Sequence, residues 1–301
     1  MSYIDDYGLP AVLVSLTKYA GLEPRLLQTL LQRFGDLNGI LEADTEALRD
    51  IEGLSEESAE AIGQASSNLA AARDYVDSLS DRDIMTPTYQ DHNYPPGLAE
   101  LNDPPMMLYV RGRLPVPDRK LITVAGAEEA TNEGIALTTD LTKALARAGV
   151  QVLSSLRSGI DVAAHFGCRT AEGTSYALLD TGFDDDRLDH LRPVAVDVVT
   201  DGGVISEFPP EYEGGEHDYQ TANRLLASLP QAVVLTEFYN VSAKSMDLLR
   251  CCHQIGKLSF ILVDPDVGAL SDKEALHQAV DWGAIPMVGQ DKIDDIIKAL
   301  V

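Results

Sequence analysis

LITVAGAEEATNEGIALTTDLTKALARAGVQVLSSLRSGIDVAAHFGCRTAEGTSYALLD, residues 121–180, carries the clearest pattern in the chain. Short apolar runs, LITVAG (121–126), VQVLSS (150–155) and SYALLD (175–180), are separated by helical stretches at 134–148 and 160–171. Alternation of this kind marks βαβ units around a parallel sheet. Runs that are apolar on consecutive residues suit strands covered by helices on both faces. GVISEF (203–208), AVVLTE (232–237) and LSFILV (258–263) continue the series, with helices expected over 222–229 and 245–255. IDDIIKAL (293–300) reads as a last amphipathic helix.

Upstream the pattern changes. The first 80 or so residues carry helix starts and stops, among them Pro24, Gly35, Gly39 and Asp44-Thr45-Glu46, which predict short helices in a small bundle. Within it, ALRDIEGLSEESAEAI (47–62) reads as helix, glycine-containing hairpin and helix, an arrangement similar to helix-hairpin-helix or SAM-like elements. Such a turn can offer backbone N–H groups to a phosphate. Glu52, Glu56 and Glu57 crowd this one and favour a purely structural hairpin. Residues 84–120 are rich in proline and glycine and hold one short strand, MMLYVRG (106–112). The expected organisation is a helical domain over 1–83 and an extended Rossmann-like α/β domain over 84–301, a parallel sheet with helices on both faces.

Composition bounds the function. The 301 residues carry 23 Lys+Arg against 48 Asp+Glu, a formal net charge of −25, so binding by global positive charge is excluded. Hydrophobic content of 45% supports a packed core and rules out disorder. The acidity reads either as a solvated surface or as a patch that meets a basic partner protein. Cys168, Cys251 and Cys252 are too few and too badly spaced for a zinc or redox pair and read as packed thiols. No run of about 18 apolar residues occurs. The acidic start MSYIDDYGLP is unlike a signal peptide, so a soluble, cytoplasmic protein without membrane contact is expected.

Ligands of open parallel sheets bind beyond the carboxyl ends of the strands. Gly126 permits close backbone approach after the first strand, and Arg157 with Gly159 stands beside a helix start after the second. His165 follows Asp161 by one turn and reads as a packed histidine bonded to it. Asp180 to Asp186 read as a solvated acidic loop, with Mg²⁺ the sharper alternative. Arg224, beside Asn223, suits phosphate because a guanidinium matches two phosphate oxygens. Its competing reading is a salt bridge. Lys244 and Ser245 stand where a helix begins after Thr236-Glu237-Phe238. No GxSxG elbow, HExxH or Ser-His-Asp order is present, so hydrolase chemistry has no foothold.

Taken in order, YPPGLAELNDPPMMLYVRG (94–112), SLRSGIDVAAH (155–165), ISEFPP (205–210), NRLLASLPQAVVLTEF (223–238) and GKLSFILVDP (256–265) resemble the DNA-processing protein A (DprA/Smf) family. The resemblance runs over nearly the whole chain. It implies a SAM-like domain before a dimerising extended Rossmann domain, single-stranded DNA bound in a basic pocket, and loading of RecA onto that DNA, as in transformation and recombination. It implies neither an enzyme nor a cofactor or metal. The phosphate-contacting set carried over is Gly126, Arg157, Gly159, Asn223, Arg224, Lys244 and Ser245. Departures fall on this pocket. Gly126-Ala127-Glu128 stands for Gly-Ser-Arg, Ala222-Asn223-Arg224 for Arg-Asn-Arg, and Ala243-Lys244-Ser245 for Ser-Gly-Ser. Asp180-Thr181-Gly182-Phe183-Asp184 stands for Gly-Thr-Gly-Leu-Asp, and Asp264-Pro265 for a final Pro-Gly. A weakened DNA site is the consequence. A Rossmann-like nucleotide-binding or sensing protein, and a divergent member acting through protein contacts without DNA, are the alternatives.

Overall fold

The computed structural model describes residues 2–22, 24–239, 243–263 and 273–288, together with 295, 296 and 298. It divides into two compact units, Met1–Tyr94 with Asn102–Tyr109, and Pro95–Leu101 with Val110–Val301. This differs from a cut at residue 83. Thr88 bridges Met107, and the Tyr94 hydroxyl donates to the carbonyl of Pro105, which keeps both stretches in the first unit. In the second unit, Gly97 lies so close to Ser228 that a Cβ would stand 2.6 Å from its carbonyl oxygen.

Helices α1 (Tyr3–Tyr7), α2 (Leu9–Val14), α3 (Pro24–Phe34), α4 (Leu37–Leu41), α5 (Thr45–Arg49), α6 (Glu56–Gly63) and α7 (Leu69–Ser80) build the first unit, with strand β1 (Ile84–Met85) after them. Asp36, Asp44 and Ser55 cap α4, α5 and α6 by accepting from backbone N–H groups. Leu16, Leu30, Ile40, Leu48 and Ile62 are fully buried between them. The hairpin joining α5 to α6 turns at Gly53, whose φ of +86° suits glycine. Arg49 binds Glu60 at 2.9 Å and Glu56 at 3.3 Å, so one of the acids crowding the turn is held by the hairpin's own arginine.

The second unit holds β2 (Tyr109–Gly112, from Val110), β3 (Leu121–Ala125), β4 (Gln151–Ser155), β5 (Ser175–Leu178), β6 (Gly203–Ser206), β7 (Ala232–Leu235), β8 (Leu258–Val263) and β9 (Ile285–Val288). Their order is β2-β6-β5-β4-β3-β7-β8-β9, with β5–β6, β4–β5, β3–β4, β3–β7, β7–β8 and β8–β9 all parallel. Helices α8 (Asn132–Arg147), α9 (Ile160–Thr170), α10 (Arg192–Asp201), α11 (Tyr219–Ser228), α12 (Lys244–Ile255) and α13 (Lys273–Asp281) complete it. The six long apolar runs of the sequence are all strands, mostly ending one or two residues early. That puts Gly126, Asp180, Glu207 and Glu237 in loops beyond the sheet. Strand β9 and helices α10 and α13 were not read from the sequence, and most of 293–300 lies outside the described residues, as does Asp264-Pro265.

The core packs Ile122, Val124, Val152, Val234 and Phe260 against Leu141 and Leu145 of α8 and Ala164 and Cys168 of α9. All three cysteines are buried thiols. Leu141→Ala should lower the unfolding free energy of the second unit by about 2–5 kcal/mol, as for other buried leucines. The single tryptophan, Trp282, lies in that unit, so its fluorescence in a urea melt checks this.

Candidate functional site

Strand β3 has β4 on one side and β7 on the other, so the connections diverge there and leave a crevice at the carboxyl ends of β3 and β7. Two glycines let its loops meet. A Cβ on Gly126 would stand 2.7 Å from the Glu237 carbonyl oxygen and 2.8 Å from the Ile160 side chain. Gly159, with φ +69°, would place one 2.3 Å from the carbonyl oxygen of Ala127. Ile160 N donates to that same oxygen at 3.0 Å. The close approach each glycine allows is therefore to the chain itself.

Arg157 and Lys244 form a linked set. Arg157 Nε donates to Asp180 Oδ2 at 3.2 Å and its Nη2 to Asn223 Oδ1 at 3.5 Å. Fully buried Asn223 donates in turn to the Lys244 carbonyl at 2.8 Å and to Asp247 Oδ2 at 3.0 Å. Lys244 Nζ reaches Glu128 Oε1 at 2.9 Å and lies 5.8 Å from the ring centroid of Tyr219. Glu128 follows Gly126 by two residues, which closes the ring of contacts around the crevice. Ser245 is buried in the first turn of α12. Arg224 is held elsewhere: its Nη2 donates to both oxygens of Glu207 at 2.8 and 2.7 Å.

Each of the three expected cations thus meets a carboxylate of its own chain. Arg224 and Glu207 have side chains only 15% and 7% exposed, and breaking such a pair strands a charge. Lys244 and Glu128 are 42% and 44% exposed, where a pair is worth about 0–1 kcal/mol and exchanges easily.

Glu237 escaped the sequence reading. It is fully buried, accepts from Thr131 N at 3.1 Å and takes the Tyr239 hydroxyl. Thr131 caps α8 by accepting from Gly134 N at 3.0 Å, so Glu237 supplies the anion favoured at that helix start. The signal was present: an acid directly after the all-buried AVVL strand must find partners inside the fold.

Asp161 accepts from Ser155 Oγ, while its Oδ1 is buried with no hydrogen-bond partner. Burial pushes its carboxyl up to about 6, against the pull of the Arg157 guanidinium and the Ser155 hydrogen bond. The expected bond between Asp161 and His165 is absent. His165 contacts the Ser155 carbonyl through Nε2 at 2.9 Å and Ser175 Oγ through Nδ1 at 3.2 Å, because Asp161 turns back to the end of β4. Burial lowers this imidazole to about 4, which leaves it neutral near pH 7. The acidic loop after β5 is only partly solvated. Asp185 is buried and held below the usual carboxylate range, first by the Arg187 hydrogen bond and then by Thr181 and the Gly214 N–H. Among the described residues no three His, Cys, Asp or Glu side chains could together hold a metal.

The profile of DNA recombination-mediator protein A matches residues 85–300, which includes every residue of this crevice. The chain belongs to that family. Protein Smf of Synechocystis is 28% identical over 221 residues, 72% of this chain and 55% of that protein. The chain spans about half the length of this and several other mediator-protein-A relatives. DNA processing protein A of Streptococcus pneumoniae shares the fold at a TM-score of 0.71, with 19% identity and 98% of each chain covered. The Helicobacter pylori protein, described for its single-stranded DNA binding mode, matches at 0.62 with 20% identity over 72% of this chain and 98% of its own. No helix among the described residues is long and apolar enough to cross a membrane.

A carboxyl raised from 3.8 to about 6 holds its proton more tightly in the folded chain than in the unfolded one. That contribution to stability is complete below the unfolded value and is lost as pH rises through the folded one. Asp161→Asn should therefore gain melting temperature over the parent most above pH 6 and least near pH 4, as thermal melts across that range would show.

Proposed function

We propose that this protein is a recombination mediator that binds single-stranded DNA at the carboxyl ends of β3, β4 and β7, acts as a homodimer and loads RecA onto the strand. The ring of contacts from Arg157 through Asn223 and Lys244 to Glu128 supports this reading, because it gathers two cations, Arg157 and Lys244, at the crevice where parallel sheets take ligands. Family membership over residues 85–300 supports it. Its role is to bind and deliver, without bond chemistry of its own.

DNA entry is an exchange of ion pairs. A phosphate approaching Lys244 displaces Glu128, and one approaching Arg157 competes with Asp180. Each displaced carboxylate gathers a cation from solution, which cancels part of the counterion release that normally drives binding. Affinity and salt dependence are both reduced relative to a pocket of free arginines, and the net charge of −25 opposes approach further. The same self-neutralisation favours the second reading, a family member that works through protein contacts without DNA.

Fluorescence anisotropy with labelled oligo-dT at low and high salt separates the two. The mediator reading expects binding at low salt that fades as salt rises. Lys244→Ala should weaken it and reduce the slope of log K against log salt by less than about 0.7, the single-strand value for an unpaired cation. Glu128→Gln should tighten it roughly two- to fivefold by releasing Lys244 from an exposed pair. No binding of any of these proteins at low salt would reject the DNA reading in favour of protein contacts. RecA filament growth on that strand, with and without this protein, checks the loading step.

A further inference from the structure

The two most exposed large hydrophobic side chains among the described residues are Val196 of α10, at 66%, and Phe166 of α9, at 60%. Phe166 lines a groove between α9 and α10, while Val196 is not among the residues that line it. Val162 and Phe166, one turn apart on α9, face Val194 and Val198, one turn apart on α10, across a groove. His165 and Ser175 also line it and bond to each other at 3.2 Å, and burial keeps the imidazole neutral. The floor therefore makes no demand for a charged ligand.

The rim does. Arg169 pairs with Asp197 across the groove, and Asp201, one turn further along α10, is exposed and makes no ion pair among the described residues. Residues 184–201 hold six aspartates against two arginines, and of these Asp197 and Asp201 line the groove. A second copy would bring the same acids and another net charge of −25 against these, so like-charge repulsion opposes self-association here. A helix of 10 residues gives about 15 Å of groove, room for four or five residues of extended chain.

We propose that the α9–α10 groove docks a basic polypeptide segment, with one aromatic or aliphatic side chain set between Phe166 and Val198 and a Lys or Arg on Asp201. Apolar anchoring with a charged rim is a common division of labour at protein interfaces, the anchor giving affinity and the rim giving selection. The inference is independent of DNA binding in the crevice.

The test uses the full chain and two labelled hexapeptides, Ac-KKLFKK-NH2 and its charge-reversed counterpart Ac-EELFEE-NH2, followed by anisotropy and by amide shifts in NMR. Phe166→Ser and Asp201→Lys are surface changes that leave the core intact. Val280→Ser, at an exposed position of α13, and Glu46→Lys, in the first unit, are matched controls. Saturable binding of the basic peptide, weakened about fivefold or more by each groove variant and less than about twofold by the controls, is the expected result. Equal binding of both peptides, no saturation by about 1 mM, or equal loss with groove and control variants would overturn the proposal. So would light scattering in which Phe166→Ser lowers the mass of a self-associated form, since the groove would then be a contact between copies.

Discussion

A parallel strand covered on both faces has nowhere to put a charge until it leaves the sheet. Here every strand from β3 to β7 is buried along its length, and the polar residues crowd into the turns that follow. Asp180, Glu207 and Glu237 are such residues, and each meets a donor from a neighbouring turn or helix. The crevice is the place where this overflow of charge from adjacent strands is resolved.

Resolution by internal pairing has a chemical cost that depends on depth. Deep in the crevice, Glu237 and Asp161 are desolvated and committed, one satisfied by donors and the other left with an orphan oxygen. At the mouth, Glu128 and Lys244 stay hydrated and exchangeable. The gradient from fixed to exchangeable charge, more than the number of cations, sets what such a crevice can bind. An excess of acid over base in the chain makes it unsurprising that arginines find carboxylates before they find anything else.

Much of the architecture was legible in the sequence because hydrophobic periodicity records burial directly. The runs at 121–126, 150–155 and 232–237 are short, rich in β-branched residues and flanked by helical stretches, which marks buried strands rather than buried helices. Strand β9 escaped because IPMV is short and contains proline, and α10 escaped because RPVAVDVV lacks a clear polar face. At the site, Arg157 and Lys244 could be picked out by their position after strands, and Asn223 by its place beside Arg224 in the family motif. Their partners could not. Pairing Arg157 with Asp180, or Arg224 with Glu207, depends on the lateral order of strands and helices, which periodicity along one segment does not encode. The His165 contact failed for a related reason: two side chains a turn apart on α9 share a face, yet the end of β4 offers both of them nearer partners.

Asn223 shows what this arrangement means for sequence change. Its amide presents an acceptor to Arg157 and a donor to Lys244 and Asp247, so the side chain is read with a polarity. An aspartate of the same shape would turn an oxygen toward the Lys244 carbonyl and the Asp247 carboxylate, while a leucine would take one hydrogen bond from each of three partners. The nearest isostere is thus among the worst replacements. The position behaves like a keyed connector, through which the loop after β4 and the start of α12 can diverge only together.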